Sequence, residues 1–210
     1  MQAIAVIGDI VHSKDIARRD AFQRKLSATL KAAGREKGSG LASPFTLTLG
    51  DEFQAVYRSA SGLWADLATL LAAVHPVEVR FGIGAGEIAT KLNPKQALGM
   101  DGPAFHRARE AMTILKGREA RFHITGEREE DWALVNHSLA IVSHSLKGWG
   151  KNRLEILAAL LRGRTVSEFE AELSISKVAI YKNINAASLT DVTALCHEIE
   201  RALNAALGLK

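Results

Sequence analysis

The 210-residue chain is 47% hydrophobic with a formal charge of +4, enough apolar material for a buried core and a basic balance that permits phosphate contacts without requiring them. Its one cysteine, Cys196, excludes an intramolecular disulfide, fits a reducing compartment and reads as core packing. No charged leader with a cleavage site precedes the first strand, and the apolar stretches at 63–74 and 154–161 fall short of the roughly 20 residues that cross a bilayer, so no membrane span and a cytoplasmic location are expected.

Residues 3–10 are a nearly continuous apolar run, the pattern of a central strand covered on both faces. A polar turn through His12, Ser13, Lys14 and Asp15 leads to a helix marked by Phe22, Leu26 and Leu30, with Asp20 as its N-cap. Residues 34–40, three of them glycine, predict a flexible loop. Alternation at 45–49, the turn signal Gly50-Asp51 and a second run at 53–57 predict a β-hairpin with carboxylates at its tip. The spacing of Leu63, Leu67, Leu70 and Leu71 is helical; a strand over 77–88 follows, in which Gly82, Gly84 and Gly86 bare one face so that something packs or binds close to it. A loop ending in Asp101-Gly102-Pro103, a helix over 103–115 and a strand at 121–124 complete the order βαββαβαβ. That order predicts an α+β, ferredoxin-like sheet with the end of the first strand beside the hairpin turn.

Beyond Gly126 the pattern is helical: a long helix over 127–146, a break at 147–150, three shorter helices and an amphipathic tail. The expected domains are therefore 1–126, α+β, and 127–210, helical, with a helix-turn-helix at about 153–187.

Juxtaposed on the sheet, Asp9, Asp51 and the carbonyl of Ile10 make a hard oxygen environment suited to Mg²⁺ or Mn²⁺. Such an ion keeps waters and takes phosphate oxygens, so the expected ligand is a metal-nucleotide or another phosphorylated small molecule. The plainer alternative is that Asp51 only makes the turn and Asp9 only ends a strand. Ser13 can donate to phosphate from the following turn, and Lys14, Arg18 and Arg19 lie close enough to contact it, although a solvated helix start explains the arginines equally. Arg107 and Arg109 open a helix whose N-terminus either faces an anion or is simply a capped surface helix. His137 and His144 share a helix face without a third ligand at zinc-like spacing, and carry no metal assignment.

Gly50-Asp51-Glu52-Phe53 resembles the hairpin signature of diguanylate cyclases. The series Gly8-Asp9-Ile10, Thr48-Leu49-Gly50-Asp51, residues 79–86 and residues 101–109 resembles class III nucleotidyl cyclases in order. More closely, the whole chain resembles the SatD family, whose Gly-Asp-Ile-x-x-Ser-Lys, Gly-Asp-Glu-Phe-Gln and Asp-Gly-Pro-Ala-Phe motifs stand at 8–14, 50–54 and 101–105, ahead of a helix-turn-helix. The resemblance implies a nucleotide-cyclase-like palm with Asp9 and Asp51 as metal aspartates, and Ser13, Lys14, Glu52 and Arg109 are the candidate nucleotide-binding residues beside them. Class III cyclases carry an asparagine and, four residues on, an arginine that steadies the transition state; alignment on Ala108 puts His106 and Glu110 there. A glutamate repels charge developing on phosphate, and Arg109 substitutes only if the register slips by one.

In the helical part, Thr165 with Glu168 forms a capping-box signal, Ser174-Ile175 makes the turn, and Ser176 starts a third helix. That helix offers Ser176, Lys177, Tyr181, Lys182 and Asn185, with Asn183 between them, for phosphates and base edges of DNA, with a purely structural or dimerising module as the alternative. Glu170 stands where a small residue is usual and Ser174 where glycine is usual. Leu195, Ile199, Leu203 and Leu207 give the tail an apolar stripe for packing or for a homodimer. The reading is a transcriptional regulator with a metal-nucleotide-binding domain coupled to DNA binding, nucleotide binding being favoured over cyclisation. The alternative is an active nucleotidyl cyclase or related phosphotransfer enzyme.

Overall fold

Among the described residues, 1–34, 38–48 and 50–209, the computed structural model places five strands and eight α-helices. They are β1 (Gln2–Ile10), α1 (Arg19–Ala32), β2 (Leu41–Leu47), β3 (Glu52–Tyr57), α2 (Leu63–Val74), β4 (Val79–Glu87), α3 (Pro103–Lys116), β5 (Phe122–Thr125), α4 (Ala133–Leu146), α5 (Lys151–Leu161), α6 (Val166–Leu173), α7 (Lys177–Ala186) and α8 (Leu189–Ala206). The strands form one α+β sheet in the order β2-β3-β1-β4-β5, with β1 antiparallel to β3 and β4, and β5 parallel to β4. The first four strands follow the split βαβ order of ferredoxin-like sheets.

β1 is continuous in hydrophobicity because it feeds two cores. Ile4, Val6 and Ile10 join the larger cluster with α1, α2 and the C-terminal helices, while Ala3, Ala5 and Ile7 face α3 and the segment through Ile88, Ala97 and Met100. The second face is built from small residues: Ala3, Ala5 and Ile7 pair across the strands with Gly86, Gly84 and Gly82. A Cβ at Gly84 would run into the Ala104 carbonyl and the Ala108 nitrogen, and one at Gly82 into the Ala108 carbonyl. At Gly82 and Gly84 the bared face of β4 is therefore filled by the α3 backbone.

Several boundaries move. β2 starts at Leu41 and contains Pro44, which an edge strand tolerates because an N–H facing outward is not missed. Leu49, in the expected strand, and 35–37, in the expected loop, lie outside the described residues. Asp20 does not cap α1: Arg18 holds the N-cap position, and Asp20 sits in the first turn, where its charge suits the helix dipole. The helix expected over 127–146 is a 3₁₀ turn, Glu130–Trp132, followed by α4.

The C-terminal helices share the larger buried cluster with the sheet. Trp64 of α2 meets Phe122 of β5 edge to face with centroids 5.2 Å apart, and Leu154, Leu157, Ile199 and Leu203 are buried in the same cluster. Polar contacts stitch this junction. Asp66, 3% exposed, accepts the Tyr57 hydroxyl at 2.8 Å, the Ser39 hydroxyl at 3.4 Å and the Gly34 N–H at 3.3 Å, and pairs with Arg162 at 3.5 Å. From α8, Asn204 accepts the Ala60 N–H at 2.7 Å and Glu200 the Trp64 N–H at 3.4 Å, serving amides at the start of α2 that lack a local side-chain cap. The apolar stripe of α8 is spent here, with Ile199, Leu203 and Leu207 buried, Leu195 half-buried against the same cluster, and Cys196 buried beside it. Burial, with Glu200 nearby, pushes the Cys196 thiol up to about 12, as befits a packing residue. Among the described residues no helix is long and apolar enough to cross a membrane.

Candidate functional site

The two acidic motifs interlock as cross-strand pairs. Gly8 lies opposite Phe53 and Asp9 opposite Glu52. The Phe53 ring occupies the space a side chain at Gly8 would need, which accounts for the glycine before Asp9. Phe53 is itself 1% exposed and held edge to face against Phe45 and Phe81. Gly50, at φ 68°, makes the turn that the Thr48 N–H closes onto the Glu52 carbonyl at 2.9 Å. The Ile10 N–H then bonds the Asp51 carbonyl at 3.3 Å, so Asp9, Ile10, Asp51 and Glu52 come together at one end of the sheet.

His12 adopts a left-handed conformation, φ 52°, and folds the chain back into a 3₁₀ turn, Ser13–Asp15. Ser13 is thereby buried, and its hydroxyl donates to Oδ2 of Asp51. Its place is behind the carboxylate, which it orients. Lys14 stays exposed on the same turn.

Asp9 is half-buried, and its pKa is raised. Desolvation is the leading cause; Asp51 and Glu52 push the same way, while Lys116 and Arg80 oppose. Asp9 therefore stands in a site that already holds two more carboxylates. Arg109 reaches in from α3 and pairs with Glu52 at 3.8 Å. Lys116 is seven residues further along α3, hence on the same face, and acts on Asp9. Arg80 lies directly across from Asp9 in the β1–β4 register.

Lys116 and Arg80 are absent from the sequence-based set. The seven-residue spacing from Arg109 was the available signal for Lys116. Arg80 becomes visible only with the strand register. Both line a cleft of about 450 Å³ beside the carboxylates, bounded by His12, Arg118, Arg121, Lys147, Glu78 and Glu119. Five cationic side chains against two carboxylates give it a positive balance, although Arg121 pairs with Glu78 at 2.8 Å and Lys147 with Glu119 at 2.6 Å. A larger groove of about 540 Å³ between α1 and β2 has Lys31 and Lys95 and no carboxylate in its described lining.

Among the described residues no three His, Cys, Asp or Glu side chains gather as a metal set. The donors on hand are the Asp9 and Asp51 carboxylates and the Ile10 carbonyl. All are hard oxygens, too few for a closed cage, which fits an ion that completes its shell with water and phosphate. His106 instead bonds Asp101 at 2.9 Å at the surface, and Glu110 is exposed. Arg109 is the residue of this helix segment that reaches the carboxylates.

In the helical half, α6, a left-handed Ser174 at φ 54° and α7 form the expected turn. Glu168 accepts the Thr165 N–H at 2.5 Å and hydroxyl at 2.8 Å. Glu170 turns out to have a role: its carboxylate accepts the Lys177 N–H at 3.0 Å and faces the Lys177 ammonium at 3.7 Å, supporting the start of α7 from the preceding helix. The Ser176 hydroxyl accepts the Ala179 N–H at 3.3 Å. Buried Ile180 and Ile184 anchor α7, leaving Lys177, Val178, Tyr181, Lys182 and Asn185 exposed. Asn183 turns inward, accepting from Arg153 at 3.2 Å and donating to the Ala179 carbonyl at 2.9 Å.

Against known proteins, the model of the SatD family matches residues 3–194. No curated protein matches the chain.

Proposed function

The chain belongs to the SatD family, and we propose that it is a ligand-responsive, DNA-binding regulator whose cyclase-like palm binds a metal-nucleotide at the ends of β1 and β3. The observation that carries this reading is the pairing of Asp9, raised in pKa by burial and by Asp51 and Glu52, with a cationic cleft at its side. Asp9, Asp51 and the Ile10 carbonyl would hold an Mg²⁺ or Mn²⁺ ion, which would supply a Lewis acid for phosphate oxygens. Ser13 fixes Asp51, while Arg80 and Lys116 offer charge to the phosphates on one side and Arg109 on the other.

The exposed face of α7 supports the second half of the proposal. Lys177, Lys182 and Ser176 suit phosphates, Asn185 and Tyr181 suit base edges, and Val178, 79% exposed, suits a thymine methyl. A route between the halves exists in β3: its first residue, Glu52, sits at the carboxylate site, and its last, Tyr57, bonds Asp66, which pairs with Arg162 just before α6. Ligand binding that favours one arrangement of β3 thereby shifts the population of α6–α7 arrangements.

The test is selection of fragments from a genomic DNA pool by purified protein with Mn²⁺ and each common nucleoside triphosphate in turn. The expected result is a set of fragments whose retention changes at least severalfold with one nucleotide. Retention identical under every condition sinks the coupling. A second reading, phosphotransfer, is favoured by Arg109 reaching Glu52; product formed from ATP or GTP with Mn²⁺, and lost in Asp51→Ala, would promote it.

A further inference from the structure

The formal charge of +4 is not spread over the chain. Residues 14–31 hold six Lys and Arg against two Asp, and the remaining 21 basic residues are matched by 21 acidic ones, so the whole excess sits on α1 and the turn before it. Helical period then sorts that charge. α1 buries Leu26 and Leu30, with Phe22 packed beside them, which sends Ala21, Arg24, Lys25, Ala28, Lys31 and Ala32 to solvent. Past Asp20 in the first turn, the outer face has three cations, no acid and only alanines between them.

These cations are also left without partners inside the protein. On the later helices Lys151, Lys177 and Arg201 each stand against a glutamate, whereas Arg24, Lys25 and Lys31 have no ion pair among the described residues. The face lies beside the helix-turn-helix. Lys25 lines a groove of about 440 Å³ whose other walls are α2, α5 and α6, with Lys151 at the start of α5 and Leu173 at the end of α6 among them.

We propose that the outer face of α1 is a second DNA-contacting surface, taking backbone phosphates beside the stretch that α7 reads. Arg24 and Lys31 are seven residues apart, about 10 Å along one helix face, and a duplex strand presents a phosphate about every 3.4 Å of its axis, so one duplex serves both. The alanines between them let the backbone come close. Phosphate contacts carry no sequence information, so this surface adds affinity and salt dependence rather than specificity. An anionic membrane is the poorer match, because a helix that lies on lipid inserts an apolar face and that of α1 is already in the core. The inference rests on the DNA-binding reading of α7 and not on the metal-nucleotide site.

Fluorescence anisotropy of the full chain with two unrelated duplexes of about 40 bp, from about 50 to 200 mM NaCl, tests it. Arg24→Gln/Lys31→Gln should weaken binding on the order of tenfold on both duplexes alike, and should make the slope of log affinity against log salt shallower by about 2, each lost phosphate contact removing about 0.9. Lys91→Gln/Arg201→Gln lowers the net charge equally at exposed positions elsewhere, and should leave the slope unchanged. Glutamine keeps the helix propensity of the residues it replaces, and unchanged circular dichroism spectra show that the variants fold. Tyr181→Ala/Lys182→Gln tests α7 in the same assay. Binding lost in the α7 variant but not in the α1 variant, or an equal loss in Lys91→Gln/Arg201→Gln, overturns the α1 surface and leaves the helix-turn-helix reading standing. So does an α1 variant that loses only binding to vesicles containing phosphatidylglycerol. Binding lost in the α1 variant alone supports the surface and removes α7 instead, and a wild type that binds neither duplex at the lowest salt overturns both.

Discussion

Asp66 and Asp9 are both carboxylates drawn out of water, and burial raises the pKa of each, yet they sit in opposite company. Asp66 is surrounded by what a carboxylate wants: a tyrosine hydroxyl, a serine hydroxyl, a backbone N–H and a guanidinium. Asp9 is raised chiefly by desolvation, with two more carboxylates beside it, and the larger opposing pull of Lys116 and Arg80 does not cancel the loss of water. The first arrangement completes a fold. The second costs the fold something, and such a cost points to a cation or a ligand that removes it.

That contrast can be broken by mutation, and the largest effect belongs to Asp66. Asp66→Ala removes the carboxylate with which Arg162 and Tyr57 are engaged, and should destabilise by about 3–5 kcal/mol in urea unfolding. Tyr57→Phe deletes one buried hydrogen bond and should cost about 1–2 kcal/mol, with the other partners of Asp66 still in place. Asp9→Asn should go the other way, raising the melting temperature of the metal-free protein by roughly 1–3 °C at neutral pH, since the site is half solvated and screened. A loss of stability in that variant would place Asp9 with Asp66 and remove the distinction.

The pH dependence of the Asp9→Asn gain has a definite sign. A folded-state pKa above the ordinary aspartate value of about 3.9 means the folded protein holds the proton more tightly than the unfolded chain. Wild-type stability therefore falls as pH rises through the window above that value, and the advantage of the variant should be small near pH 4 and full at neutral pH. Ser13→Ala should have the smallest effect on the fold, a few tenths of a kcal/mol to about 1 kcal/mol, and should weaken Mn²⁺ binding severalfold by freeing Asp51 to rotate.

Much of the fold was legible because hydrophobic period marks element type, and the order βαββαβαβ stands. The segment 41–44 was missed as strand because Leu41-Ala42-Ser43-Pro44 neither alternates nor avoids proline, a tolerance that depends on lying at the sheet edge. The 3₁₀ turn at Glu130–Trp132 hid inside a helical period that it nearly shares. At the site, the acidic motifs carried their own signal, since glycine, aspartate and phenylalanine interlock locally in the hairpin. Arg80 and Lys116 did not, because one arrives through strand register and the other through a helix laid along the glycines of β4. Glu170 looked like a misfit in the helix-turn-helix pattern until its hydrogen bond to α7 gave it a place.

Thermal unfolding of wild type and Asp9→Asn, each with Mn²⁺ alone and with Mn²⁺ plus ATP or GTP, tests the central claim most directly. At about a hundred times its dissociation constant a ligand adds about 2.7 kcal/mol, so one metal-nucleotide should raise the wild-type midpoint by several degrees and leave Asp9→Asn unmoved. Equal shifts in both proteins, or none in either, would contradict a metal-nucleotide site at Asp9 and Asp51.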